Sequence, residues 1–338
     1  MNKLNTISID LAKNVFQVCI MSSQGRVQKN VSVSRNKLAD LMRQQPRSIV
    51  AMEACYSSHY WARVFQSMGH QVRLIPAQHV KPFVRGNKND HNDALAIAEA
   101  SMRPNIRFVP IKTIEQQDIQ SLHRIRERLV RQRTGLVNQT RGLLSEYGII
   151  FPKSYSNFKT RIGLLAIEGH IHLTPLVYAQ IKLIVNELDL INLHITKLEK
   201  QLHTILNIHP TCQLLHSIPG IGVINATALY SAIGNGQQFK RAKDLSVWLG
   251  LTPRQYASGE KSTSGSITKR GNRYLRKQLV HGARAYLSFC HDKTDKLSLW
   301  VKQLAERRGS CKAIVALANR LARIAWILLH KNERYVQA

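Results

Sequence analysis

Four acids stand out in a chain that has few of them. The 338 residues carry 49 Lys and Arg against 20 Asp and Glu, a formal charge of +29. Asp10 lies inside the strand-like run Ile7-Ser-Ile-Asp-Leu-Ala-Lys13, and Glu53 ends the apolar run Ile49-Val-Ala-Met-Glu53. Asp90 and Asp93 lie three apart in Asn87-Lys-Asn-Asp-His-Asn-Asp-Ala94, so a helix beginning there puts both on one face. A carboxylate among apolar strand residues is costly unless it is paired or metal-bound. Clustered carboxylate oxygens suit hard cations such as Mg²⁺, and two such ions can activate a nucleophile and stabilise a leaving oxygen in phosphodiester chemistry. The plainer alternative leaves Asp10 and Glu53 in solvent at strand ends and makes Asp90 a helix cap. Any one of the acids alone favours that alternative. The four together, in a basic α/β region, favour a metal site.

Three further stretches carry chemistry. The Ser/Gly-rich run from Arg254 to Gly271 holds Ser258, Ser262, Ser264 and Ser266 among Lys261, Lys269 and Arg270, with Arg273 and Arg276 just beyond. A serine flanked by cations in a flexible loop could attack a phosphodiester, with Arg and Lys stabilising the developing charge. On composition alone, such a loop more commonly just contacts phosphate. In Ser217-Ile-Pro-Gly-Ile-Gly-Val223, followed by an Ala/Leu helix, Gly220 and Gly222 resemble the turn of a helix-hairpin-helix, whose backbone N–H groups bind a phosphate. A tight turn between packed helices is the alternative. Finally, Arg124, Arg126, Arg128, Arg131 and Arg133 crowd one segment, and Glu127 cannot neutralise them all. The choice there is between a solvated face and a ridge facing nucleic acid, through Arg124, Arg128 and Arg131 among others.

Strands and helices must position these groups. The first hundred residues read as a hairpin (6–20 with 26–33), a helix over 36–45, a strand over 48–53, a helix over 59–68 ended by Gly69, a strand from Gln71 and a helix over 92–102. Alternation of this kind predicts one α/β sheet. From 115 to 147 and from about 175 to 206, apolar residues recur every three, four or seven positions, so two long amphipathic helices are expected. They could form a coiled-coil hairpin, an oligomer interface or part of a compact bundle. Beyond Leu214 the chain reads as helical with Gly-rich breaks.

Charge and composition bound the function. Hydrophobic residues make up 44%, enough for real cores. The basic excess sits in residues 1–150 and 201–338, with a nearly neutral middle. It argues against a scavenger of acidic substrates or a general metabolic enzyme and points to a polyanion, because each neutralised phosphate releases a counterion. The N-terminus shows no signal-peptide pattern, and the best apolar run, 313–329, is interrupted by Arg320 and Arg323, so it reads as a buried helix. Cys19, Cys55, Cys212, Cys290 and Cys311 show no zinc or CxxC spacing and are expected as buried, reduced thiols of a cytoplasmic protein.

A strand carrying Asp10 and followed by a hairpin resembles the RNase H/RuvC-like fold, and the order Asp–Glu–Asp–Asp resembles a RuvC-type resolvase set. Six blocks extend the likeness over nearly the whole chain: Ile9 to Lys13, Met52 to Cys55, Pro76 to Pro82 with Asn87 to Ala94, Gln132 to Leu144, Ile218 to Gly222, and Gly250 to Gly271. In this order they resemble the insertion-sequence-110 family of transposases, and its 1111 subgroup more closely, a group that includes the site-specific invertase Piv.

The resemblance implies a RuvC-like catalytic domain over 1–112, a coiled-coil or oligomerisation region over 113–208, and a mainly α transposase domain with the helix-hairpin-helix-like motif over 209–338. It implies Asp10, Glu53, Asp90 and Asp93 as ligands of Mg²⁺ (or Mn²⁺), and Ser258 as the nucleophile that forms a phosphoserine link to DNA. It further implies homo-oligomers, dimers or tetramers, assembled on donor and target DNA. A noncoding bridge RNA would choose the sites by base pairing, as in other RNA-guided enzymes. Such a protein would work in the cytoplasm, at the nucleoid, away from membranes. Family members often carry Ser-Ser-Gly-Gly-Lys where this chain has Ala257-Ser-Gly-Glu-Lys261. Ala257 removes a competing serine, and Glu260 adds negative charge beside the proposed phosphate site. A metal-only junction endonuclease, an inactive nucleic-acid-binding relic and a Piv-like invertase are the rival readings.

Overall fold

The structure, a computed structural model, describes residues 4–87, 89–259 and 261–336, apart from the side chain of Lys261. The chain divides into two compact units with the boundary after Thr113.

The first unit is built on a five-stranded mixed sheet. Its strands are β1 (Thr6–Asp10), β2 (Val15–Met21), β3 (Val27–Ser34), β4 (Ile49–Glu53) and β5 (Gln71–Ile75), in the order β3-β2-β1-β4-β5. Neighbours β1, β2 and β3 pair antiparallel, whereas β4 runs parallel to β1 and β5 parallel to β4. Central β1 is buried on both faces, which is why its sequence reads as nearly continuous apolar. Helices α1 (Arg35–Arg43) and α2 (Ser58–Ser67) cover one face, where Ile7, Ile9, Phe16, Met42, Met52, Trp61 and Phe65 form the core. A single turn, α3 (Ala77–Val80), and a 3-10 turn lead to α4 (Asp90–Ser101). That helix covers the opposite face through Ala94, Ala96, Ile97, Ala98 and Ala100. Such small residues let it approach closely: the Ser8 hydroxyl donates to the Ala94 carbonyl at 2.6 Å.

The second unit is helical. Its elements are α5 (Ile114–Ser145), α6 (Tyr155–Glu168), α7 (Pro175–Ile208), α8 (Pro210–His216), α9 (Val223–Ile233), α10 (Ala242–Trp248), β6 (Pro253–Ser258), β7 (Lys261–Ile267), α11 (Arg273–Ser288), α12 (Lys296–Arg308) and α13 (Ser310–Lys331). The two long helices α5 and α7 pack along each other through Leu129, Ile191 and Ile195, and through Val137, Leu144, Ile181 and Leu188. Helix α6 inserts Phe158, Ile162 and Leu165 into the second of these clusters. Helix α13 runs through the other core, with Ala313, Leu317, Ala318, Leu321, Ala322 and Ala325 fully buried. It is apolar and long enough to cross a membrane, but half of that stretch is buried in the unit.

Two sequence expectations change. The Ser/Gly-rich stretch from Arg254 is not a loop: residues 253–258 and 261–267 pair as an antiparallel hairpin. Period-2 alternation is invisible there because nearly every side chain is exposed. The cysteines are free, with Cys19, Cys212 and Cys290 buried as expected, but Cys55 is half-buried and Cys311 exposed.

Candidate functional site

The parallel register sets the positions of the first two acids. Ile9 pairs with Met52, so Asp10 and Glu53 follow at the C-terminal ends of adjacent strands. Side chains alternate along a strand. Ser8 faces α4, because it bonds Ala94, and Asp10 two residues on shares that face. Ala51 packs with Ile97, so Glu53 shares it too. Both acids are half-buried. Their fields overlap at Cys55, whose thiol is pushed up to about 11 by burial, then by the charges of Glu53 and Asp10.

Asp90 and Asp93 occupy the first turn of α4, Asp90 exposed and Asp93 half-buried. Asp90 is not the cap: Asn89 is, its side chain accepting from the Asn92 N–H at 2.8 Å. Two acids in the first turn also complement the helix dipole. Among the described residues, no three His, Cys, Asp or Glu side chains converge into an ion-holding cluster. The structure thus joins Asp10 and Glu53 at one sheet edge, on the face that carries α4, and does not close the four acids into one set. The donors are carboxylate oxygens, which fit a hard divalent cation.

Ser258 ends β6 at the hairpin tip, exposed and paired with Lys261. Glu260 and the Lys261 side chain lie outside the described residues. The hairpin is anchored at its base. There the Lys269 N–H donates to the Gly250 carbonyl at 3.1 Å, and the Thr268 N–H to the Thr252 carbonyl at 2.9 Å. Gly250 has φ +69°, and a Cβ on it would sit 2.1 Å from the Arg270 carbonyl oxygen. Gly271 has φ +82°, and a Cβ there would sit 1.9 Å from the Trp248 oxygen. Only glycine permits this backbone-on-backbone contact. Arg276 Nη1 completes the clasp by donating to the Leu249 and Arg270 carbonyls at 2.8 and 3.1 Å. Asn319 adds a bond from its amide to the Leu251 carbonyl. The sequence groups Arg276 with phosphate-facing cations, yet its guanidinium holds the hairpin base. Lys269, Arg270 and Arg273 surround that base with exposed side chains.

The arginines of α5 split into two sets. Arg126 bonds Glu199 on α7 at 2.8 and 2.6 Å, and Arg133 bonds Asn192 and lies over the Tyr155 ring. Arg141 donates to the Pro152 and Lys153 carbonyls. Glu127 is engaged by Lys277 of α11 rather than by an arginine, although Arg131 Nε reaches its backbone carbonyl. Arg124, Arg128 and Arg131 remain exposed.

Gly220 and Gly222 also part ways. Gly220 abuts α11, where a Cβ on Gly282 would lie 2.0 Å from the Gly220 oxygen. Gly222 stays exposed at the N-terminus of α9.

Sequence reasoning passes over His123. It is buried in α5, with Nε2 3.0 Å from Thr227 Oγ1 on α9 and Nδ1 3.0 Å from the Tyr274 hydroxyl on α11. The Thr227 hydroxyl donates to the Val223 carbonyl, so it accepts from Nε2–H, and Nδ1 accepts from Tyr274. Burial, then the charge of Arg126, depresses its pKa to about 4, so the ring is neutral.

Carboxylates at a sheet edge in a strongly basic chain suit enzymes of nucleic-acid phosphodiester chemistry, and comparison with known proteins makes the class definite: a transposase. Residues 7–149 match a transposase family profile of the DEDD type, and residues 212–297 match the IS116/IS110/IS902 transposase family. The transposase for insertion sequence element IS1111A of Coxiella burnetii is 43% identical, over 99% of this chain and 92% of its own length. The probable family 20 transposase of Pseudomonas aeruginosa is 42% identical over 98% of both chains. The pilin gene-inverting protein of Moraxella bovis is 24% identical over 97% of both. The chain belongs to the IS110 family of transposases, enzymes that cleave DNA and transfer its strands. Its DEDD domain is of the RNase H-like α/β class and implies a divalent metal ion.

Proposed function

We propose that this transposase cleaves DNA with Ser258 as nucleophile and with Asp10, Glu53, Asp90 and Asp93 as the holders of Mg²⁺. The observation that supports the metal half is that Asp10 and Glu53 end adjacent parallel strands, each one residue beyond the Ile9–Met52 pair, on the face covered by α4. When bound, the cation supplies positive charge to the attacked phosphate. Ser258 Oγ loses its proton as it forms a bond to phosphorus, the bond from phosphorus to one deoxyribose oxygen breaks, and that oxygen leaves as a hydroxyl. The product is a phosphoserine link, resolved when a DNA hydroxyl displaces Ser258. Arg124, Arg128, Arg131, Lys269, Arg270 and Arg273 are exposed cations suited to backbone phosphates, as is the open Gly222 turn at α9.

A noncoding bridge RNA supplies sequence choice, consistent with a chain rich in cations and poor in obvious base-reading motifs. Self-association is supported by α7, which leaves Leu176, Leu183 and Leu190 exposed at seven-residue spacing, apart from the seam it shares with α5. DNA inversion is the second reading, favoured by the gene-inverting relative aligned over 97% of the chain.

The test is a cleavage assay with protein, candidate RNA, labelled donor and target DNA, and Mg²⁺. A protein–DNA adduct lost in both Ser258→Ala and Asp10→Ala supports the reading. Nicking that survives Ser258→Ala points instead to a metal-only endonuclease.

A further inference from the structure

The hairpin carries one large aromatic side chain that packs into no core. Tyr256, on β6, is 60% exposed. Alternation puts Tyr256 and Ser258 on one face of the strand, and the register shift between Pro253 and Gln255 leaves Arg254 beside Tyr256 at Gly265. The glycine on β7 gives the ring its seat: a Cβ on Gly265 would lie 3.4 Å from Tyr256 Cε2 and 3.8 Å from Arg254 Cβ. The tyrosine therefore lies across a residue without a side chain, beside an arginine, and its outer side is open. Two residues along the strand, about 7 Å away, stands Ser258. A free two-stranded ribbon is marginal in water, but the Gly250–Arg270 and Gly271–Trp248 contacts and Arg276 hold this one at its base.

We propose that Tyr256 is a stacking platform for an unpaired nucleobase, with Arg254 taking the adjoining phosphate. The strand is thereby registered on the hairpin so that a neighbouring phosphate meets Ser258. This rests on the reading of Ser258 as nucleophile only for what the platform is for; the binding itself stands without it. An open aromatic face beside a guanidinium is what single-strand binders use, because every base has a π-face. Duplex DNA, whose bases are already stacked, gains nothing from such a platform.

The test titrates single-stranded oligonucleotides containing 2-aminopurine, one series DNA and one RNA, against the full-length chain in a Ser258→Ala background. Tyr256→Phe and Tyr256→Leu are compared at constant salt. Stacking quenches 2-aminopurine, so the expected result is quenching that persists in Tyr256→Phe and vanishes in Tyr256→Leu. Tyr256→Leu is expected to bind single strands roughly 10- to 100-fold more weakly, and duplex about equally. A DNA preference assigns the base to the substrate strand, an RNA preference to the guide, and either supports the platform. Tyr256→Leu binding and quenching like the parent overturns it, as does Tyr256→Phe failing equally. Cleavage that survives Ser258→Ala removes the nucleophile reading and leaves this binding result untouched.

Discussion

The acids of the sheet and the serine of the hairpin are held by opposite means. Asp10 and Glu53 end strands whose other residues are core, so the hydrophobic pattern and the parallel register set their positions. Ser258 sits on a ribbon with no core of its own, positioned by a few backbone contacts at its base. The proposed metal site is thus tied to global folding, whereas the proposed nucleophile depends on a local clasp. The same contrast divides the arginines of α5: those tied to α7 or to the chain before α6 are structural, and those facing solvent are free for phosphates.

Breaking the sheet-edge site gives the largest effect. Asp10→Asn is expected to lower single-turnover cleavage by about 10³-fold or more. Mg²⁺ stabilises the wild type against heat and not this variant.

The clasp behaves the other way. Gly271→Ala forces a left-handed alanine into the Trp248 carbonyl and costs about 3 kcal/mol, read by denaturant unfolding. Arg276→Gln costs about 1–2 kcal/mol and slows serine adduct formation about tenfold at unchanged DNA affinity. A matching fall in affinity would show that Arg276 touches nucleic acid instead.

His123 sharpens the comparison within the helical unit. Its folded-state pKa lies below the ordinary value, so the unfolded chain takes up the proton first. Its contribution to stability is full above about pH 6.5 and declines as pH falls toward 4, by up to about 3 kcal/mol. Denaturant titrations at pH 7 and 4.5 measure this, and His123→Gln flattens the difference.

The smallest effects lie on the α5 surface. Removing Arg124, Arg128 or Arg131 singly is expected to reduce the salt slope of nucleic-acid binding by about one for each phosphate that the arginine neutralises. Arg126→Gln leaves that slope alone and lowers stability instead, because Glu199 is left without its guanidinium.

Much of the α/β unit is legible in the sequence because its elements are defined by local pattern. The strand around Glu53 and the helices ending at Gly69 and Met102 fall within a few residues of their expected bounds, whereas the run 6–20, read as one arm of a hairpin, divides into β1 and β2, which pair with each other. Helix α6 escapes that reading, although Ser154 as its cap and Phe158, Ile162 and Leu165 at helical spacing mark it. The hairpin reads as a loop because Ser and Gly carry no burial pattern. Arg276 and Gly220 read as partners of nucleic acid because residue type does not say which way a side chain faces.

By itself, the sequence determined the basic charge, the long helices and the family, since these reside in composition, period and local motif. Tertiary structure alone decided the rest. Strand register, not spacing along the chain, brings Asp10 beside Glu53 across more than forty residues. Packing between helices chose which arginines are spent on Glu199 and Asn192 and which stay free. It also buried His123 as a neutral bridge between Thr227 and Tyr274. Such choices depend on which distant residues become neighbours, and that is settled only when the cores close.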